Sequence, residues 1–201
     1  ITWAALWGLW DFKAAQPVVP PAEEVTLRAG LVDYRQLRIA DDAGTVMLSR
    51  VGMKIGLGGI AKGWALDRAD ELLRDRGFDD YLLQGGGQVQ AAGDKGDGVH
   101  WKVGIRDPRG AADDFFAIVE AEDVSVSTSG DYERCMVVKG KTYSHILDPK
   151  SGWPVKDPFH SVSVIADYCL SAGSVATIAM LMGKKQGGAW LSSTELTHHT
   201  Q

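Results

Sequence analysis

A chain of 201 residues, 45% of them hydrophobic and 23% charged, can bury a full core and has the composition of a globular domain, not of a disordered or membrane-spanning segment. Its formal net charge of −5 excludes a general attraction to nucleic acid, so any phosphate site must be local. Within these residues neither a signal-peptide pattern nor a run of about 18 apolar residues is read, so none of them is expected to cross or anchor in a membrane. Cys135 and Cys169 lack both CxxC spacing and histidine partners at ligand spacing, so free, buried thiols are expected in place of a disulfide framework or metal cluster.

In chain order, Ile1 to Phe12 is densely apolar, with Trp3, Trp7 and Trp10 about a helical turn apart, and reads as a buried helix or an irregular core segment. The abrupt start at Ile1-Thr2-Trp3 leads us to expect a longer natural N-terminus. Pro17, Pro20 and Pro21 break the chain, and Pro21 followed by Glu23 and Glu24 opens a short helix ending near Gly30. Arg35 to Ile39 and Thr45 to Ser49 are expected to pair across Asp41-Asp42-Ala43-Gly44, and a strand at Met53 to Leu57 to lead into Gly56-Leu57-Gly58-Gly59-Ile60-Ala61-Lys62-Gly63.

That glycine turn is expected to use positive φ and to start a helix whose apolar face is Ala61, Ala65, Ala69, Leu72 and Leu73, with Arg74 and Arg76 in its last turn and Gly77 as its cap. Unpaired N–H groups and the positive dipole end at its first turn favour an anion, with Lys62 beside it. The spacing matches neither a P-loop nor a dinucleotide fingerprint, so a glycine turn that merely packs helix on strand is the preferred reading of the residues alone.

Tyr81 to Leu83 is a short strand running into Gln84-Gly85-Gly86-Gly87-Gln88, whose triple glycine signals a bulge or a backbone making room for a neighbour. Trp101 to Ile105 is a strand, and Phe115 to Ala121 with Val124 to Thr128 is expected to be a hairpin pair. The hydroxyl-rich Ser127 to Arg134 follows, then a hairpin from Met136 to Ile146 turning at Lys139-Gly140-Lys141. His145 and Asp148 fall in the strand-to-turn segment Tyr143 to Gly152, where Asp148 has the alternative of bonding to its own turn. Ser161 to Ala166 alternates like a strand and Ser171 to Met182 is helical, giving a single α+β domain with mixed or antiparallel sheets and a few packed helices.

Taken together, Gly58-Gly59-Ile60-Ala61-Lys62-Gly63, Ser127-Thr128-Ser129-Gly130-Asp131-Tyr132, Ser144-His145-Ile146-Leu147-Asp148-Pro149 with Gly152, and Ala176-Thr177 before Gly183 resemble, in order and spacing, the motifs of the ApbE family. The opening Ile1-Thr2 and Leu9-Trp10-Asp11-Phe12 resemble a further segment of that family. The resemblance implies an FAD:protein FMN transferase of ApbE-like fold: a threonine or serine of an acceptor protein attacks the FMN phosphorus of FAD, AMP leaves, and Mg²⁺ is the usual metal. It implies catalytic roles for His145 and Asp148, and cofactor contacts from Gly58, Gly59, Lys62, Ser129, Asp131, His145 and Ile146. Metal contacts are implied for Gly59, Ala176 and Thr177.

The resemblance also implies a periplasmic or cell-envelope protein, an inner-membrane lipoprotein in full-length form, held by an anchor ahead of Ile1 along with the family's N-terminal third. Three positions depart from it. Gly56, Gln88 and Gly173 stand where the family usually has Asp, the last of them a metal ligand, which implies a weakened Mg²⁺ site. The alternative expectation is therefore an FAD- or nucleotide-binding protein with reduced or lost transfer, or an FAD hydrolase releasing FMN and AMP.

Overall fold

The structure is a computed structural model describing residues 2–111, 113–132 and 134–193; Ile1 and Glu133, which the sequence reading includes in its segments, lie outside them. Two compact units are each assembled from two stretches of chain: Ile1–Leu57 with Asp131–Lys156, and Gly58–Gly130 with Asp157–Gln201.

In the first unit a 3₁₀ turn at Thr2–Leu6 leads to helix α1 (Ala22–Ala29), which begins after Pro21 and is capped by Gly30 as its sequence requires. Strands β1 (Leu37–Ala40) and β2 (Thr45–Leu48) pair antiparallel across the Asp41 to Gly44 turn. A second hairpin joins two later strands, Cys135–Val138 and Lys141–Ser144. Its turn residues Lys139 and Gly140 have φ of 51° and 75°, the left-handed pair that a tight two-residue turn needs. Leu6, Leu9, Trp10, Val25 and Met136 form the core, and Trp10 Nε1 donates to the Gly152 carbonyl at 3.0 Å. Trp7 is half exposed at 50%, so the tryptophan stripe is only partly core.

The second unit begins at the glycine turn and helix α2 (Ala61–Arg74). Next come β3 (Tyr81–Gly85), β4 (Gln88–Ala92), β5 (Trp101–Arg106), β6 (Phe115–Ala121) and β7 (Val124–Gly130). With the first unit's later hairpin as β8 and β9, the chain closes on β10 (Ser161–Ala166) and α3 (Cys169–Ser193), the latter broken at Gly183, whose φ is 74°. The main sheet runs β10-β7-β4-β3, antiparallel throughout, and β5 and β6 form a separate ribbon. Helices α2 and α3 pack on each other and on this sheet. The α+β class and the antiparallel pairing expected from sequence are both present.

Four local expectations are corrected. Residues 53–57 form no strand; the segment is irregular and pairs with nothing in a ladder. Gly86 and Gly87, with φ of 57° and 84°, make the two-residue turn of the β3–β4 hairpin, not a bulge. β6 and β7 do not pair with each other: the chain switches partners at Glu122 and Asp123, the latter at φ 49°, so β6 joins β5 and β7 lies between β4 and β10. Of the two thiols, Cys169 is buried but Cys135 is exposed, on a short two-stranded ribbon; both are free.

Helix α2 buries only part of the face expected from sequence, Ala69 and Leu73, and is rotated away from the rest. Gly63, Leu66, Asp67, Ala69, Asp70 and Leu73 turn inward, while Ala61, Ala65 and Leu72 are exposed. Gly63 decides the rotation, because a Cβ there would lie 2.6 Å from Leu170 Cα, and only glycine lets α2 approach α3 so closely. Asp67 then faces the start of α3, where its carboxylate accepts the N–H groups of Cys169 and Leu170 at 2.7 and 3.0 Å. These are donors that the helix itself cannot satisfy.

Candidate functional site

The main sheet's alternation gives its two faces different chemistry. Val89, Ala91, Val124 and Val126 face one way and pack with Val103, Ile105 and Ala121 of the β5–β6 ribbon. Gln88, Gln90, Ser125, Ser127 and Ser129 alternate with them on β4 and β7 and so face the other way, toward α3. Four of these polar side chains are almost fully buried: Gln88 6%, Gln90 3%, Ser125 0% and Ser127 2% exposed. Buried polar groups need partners, and Ser125 Oγ donates to Gln90 Oε1 while Gln88 Nε2 donates to Ser127 Oγ at 3.2 Å. Cys169 joins this layer, its thiol directed at the Val89 carbonyl at 3.6 Å, and burial pushes its pKa up, which keeps it protonated.

At the edge of the layer Ser129 Oγ lies 3.4 Å from Thr177 Oγ1, and the Thr177 hydroxyl donates to the Gly173 carbonyl at 2.8 Å. The threonine proton is thereby committed to its own helix, and the oxygen lone pairs remain to accept a hydrogen bond or touch a cation. Ala176 is fully buried in the same turn of α3.

Gly58 and Gly59 lie in the exposed turn before α2. Neither has positive φ, contrary to the sequence expectation, and a Cβ at either would meet nothing within 4 Å. No contact within the protein therefore requires glycine at these two positions. Lys62 follows in the first turn, and its Nζ donates to the Gly86 carbonyl at 2.9 Å in the β3–β4 turn. Its stem packs so closely there that a Cβ on Gly86 would overlap Lys62 Cδ. Lys62 is exposed, yet it is neither stretched over apolar surface nor free in solvent.

The remaining sequence-selected residues belong to the other unit. His145 Nδ1 lies 3.1 Å from the Arg134 carbonyl; a carbonyl only accepts, so Nδ1 is the donor. Its ring meets Phe12 edge-on at 6.4 Å between centroids. Asp148 bonds to its own turn, accepting from the Lys150 N–H at 3.0 Å and the Ser151 hydroxyl at 2.9 Å, while its carbonyl accepts the Gly152 N–H. Ile146 donates its N–H to Ser144 Oγ, and Asp131, half buried, follows directly on β7. Of the expected site, Gly58, Gly59, Lys62, Ser129, Ala176 and Thr177 thus share one unit, and Asp131, His145, Ile146 and Asp148 the other. Gln88 and Ser127 join the first set without having been singled out as ligands. Their mark in the sequence is the strict polar-apolar alternation of Gln88-Val89-Gln90-Ala91 and Ser125-Val126-Ser127.

The residues present do not fit a resident Mg²⁺ ion. The oxygens of the Ser129, Thr177 and Ala176 region are all neutral, and among the described residues no group of three or more His, Cys, Asp or Glu side chains is placed to hold a metal. A small divalent ion that gives up its waters reluctantly needs one or two carboxylates or a ligand's phosphates.

Fold and site define an α+β protein whose antiparallel sheet keeps one face buried and polar beneath a helix, beside a glycine turn that no internal contact explains. The chain belongs to the ApbE family, whose family model matches residues 1–199. It is 32% identical over 198 residues to the FAD:protein FMN transferase of Vibrio cholerae, covering 98% of this chain and 59% of that protein. With the FAD:protein FMN transferase of Treponema pallidum the identity is 36% over 199 residues, covering 92% and 54%. The crystal structure of the ApbE protein from Thermotoga maritima superimposes with a TM-score of 0.82 at 36% identity, over 95% of this chain and 60% of that one. The chain thus spans little more than half the length of the relatives it matches.

Proposed function

We propose that this chain is part of an FAD:protein FMN transferase, moving FMN from FAD to a threonine or serine of an acceptor protein with release of AMP. The observation that carries the reading is identity of 32 and 36%, over 98 and 92% of this chain, to two proteins of that name. The two units are taken as one domain, because each is built from two separate stretches of sequence and neither is a continuous segment.

In this reading the turn at Gly58 and Gly59, bare of side chains and open above, gives a phosphate access to backbone N–H groups at the start of α2. Lys62 supplies positive charge by exchanging its bond to the Gly86 carbonyl for one to a phosphate oxygen. Ser129 and Thr177 offer hydroxyl oxygens on the same unit. His145 and Asp148 are the proposed catalytic residues of the other unit, and the loop that Asp148 ties together holds the histidine's segment in place. Asp131 and Ile146 are proposed cofactor contacts in that unit. Magnesium, where it takes part, arrives with the phosphates. The full-length protein is proposed to work in the cell envelope, held at the membrane by an N-terminal lipid anchor.

The test is to incubate the protein with FAD, Mg²⁺ and an acceptor domain carrying a target threonine, then to look for flavin fluorescence on a denaturing gel. A fluorescent acceptor band is expected, and its loss in Thr→Ala acceptor. Release of FMN and AMP without acceptor labelling would make the protein a hydrolase. FAD binding with no turnover would make it a nucleotide-binding relative.

A further inference from the structure

One side chain in the buried polar layer plays no part in the chemistry above. Gln88 is 6% exposed, its Nε2 donates to Ser127 Oγ, and its Oε1 is buried with no hydrogen-bond partner among the described residues. Exchanging the amide's two ends would only move the orphan, since one end has a partner and the other has none. Such a group is costly to bury and calls for a reason.

The reason lies across from it on α3. A Cβ built on Gly173 would overlap Gln88 Nε2 and come within 3.5 Å of Ser127 Oγ. The Gln88 carboxamide therefore fills the volume that any side chain at 173 requires. Every side-chain oxygen around that volume, on Gln88, Ser127, Ser129 and Thr177, is uncharged. Positions 88 and 173 are thus one packing decision made twice: a long neutral side chain on β4 and none on α3.

We propose that Gln88 and Gly173 are a coupled pair that keeps this pocket filled and neutral, and so excludes a resident divalent cation. The proposal deepens the reading of this region as a phosphate-handling site, but its packing half stands without it. A carboxylate at 173 alone meets the Gln88 carboxamide, which is buried and must be displaced before it fits. It becomes a metal ligand only when Gln88 is shortened.

Four proteins test this: wild type, Gly173→Asp, Gln88→Ala and the double variant, each followed by thermal melting and by calorimetric titration with Mg²⁺ alone. The expected pattern is that wild type and Gln88→Ala take up no Mg²⁺ at millimolar concentration. Gly173→Asp melts several degrees lower and also takes up none. The double variant recovers most of that loss, binds Mg²⁺, and melts higher when the ion is added. Gly173→Ala, alone and with Gln88→Ala, repeats the packing half without introducing charge, in case the aspartate does not fold. Additive effects in either pair, Mg²⁺ binding by Gly173→Asp alone, or tight Mg²⁺ binding by the wild type would overturn the proposal. Failure of the acceptor-labelling assay would leave the coupling intact while removing the transferase reading.

Discussion

The two faces of the central strands β4 and β7 are made by alternate residues, one out of step, and both are buried where the two strands pair. On the ribbon side Ala91 and Val126 are 0 and 2% exposed and sit in an apolar cluster; on the helix side Ser125 and Ser127 are equally hidden but held by hydrogen bonds. The apolar face is stabilised by area removed from water, is indifferent to direction, and tolerates any good packing. The polar face gains little net energy per bond but loses much when one partner goes missing. The helix side adds its own buried apolar residues, Val162 and Val164 of β10 and Ala172, Ala176, Ala179 and Met180 of α3, so the polar strip of β4 and β7, with Ser129 and Thr177 at its edge, is set into packed apolar surroundings.

The most severe way to break this contrast is to put helix-side chemistry on the ribbon side. Val126→Asp buries a charge with no partner, a cost that rivals the whole stability of a domain, about 5–15 kcal/mol. No cooperative thermal transition is expected by circular dichroism. A lesser effect follows from loosening α3 above the polar face. Asp67→Ala leaves the Cys169 and Leu170 N–H groups without their acceptor and should cost about 1–2 kcal/mol in urea denaturation. Asp67→Asn should recover part of that loss.

A third effect appears only at high pH. At the far end of α2, Arg74 binds Asp70 at 3.1 Å and Asp123 at 2.9 Å, and the Tyr81 hydroxyl donates to Asp70 at 2.8 Å. Arg74 holds the Asp123 carboxyl below its usual range, and burial together with Asp70 pushes Tyr81 up to about 12. Because the folded protein holds the tyrosine proton more tightly than the unfolded chain, this contribution is complete below about pH 10 and drains away as pH rises to about 12. Unfolding free energy should fall across that window, and Tyr81→Phe should flatten the slope there while leaving it unchanged near neutrality.

The smallest structural effect should accompany the largest loss of binding. Gly59→Val enters open space at an ordinary φ, so its stability should stay within about 0.5 kcal/mol of wild type. FAD affinity should nonetheless collapse, because the side chain occupies the approach proposed for the phosphate. Lys62→Met should likewise fold normally and bind FAD more weakly. Unchanged FAD affinity in both would remove the phosphate site from this turn.

Where turn chemistry is local, the sequence was easily read: Pro21 starts α1, Lys139-Gly140 turns a hairpin, and Ser161 to Ala166 alternates into β10. The errors share a cause, which is that partners lie far along the chain. Nothing near Phe115 or Val124 says that β6 and β7 part company at Asp123, since that depends on β4 and β10 standing ready to take β7. The alanines of α2 mark an apolar stripe, yet the helix rotates to set Gly63 against Leu170, more than 100 residues away. Thr177 and Lys62 stood out through their motifs, and Gln88 only as a position where the family usually has Asp, with nothing to say that it fills the space opposite Gly173. Alternation shows which residues share a face; it does not show that a helix covers the polar one.

The helix-side pocket is proposed to be neutral and to gain its charge from the ligand. The decisive experiment is calorimetric titration of the wild-type protein with Mg²⁺, first without FAD and then with saturating FAD. No measurable binding is expected without FAD, and saturable binding with it. Tight Mg²⁺ binding by the protein alone would show that the pocket carries its own charge.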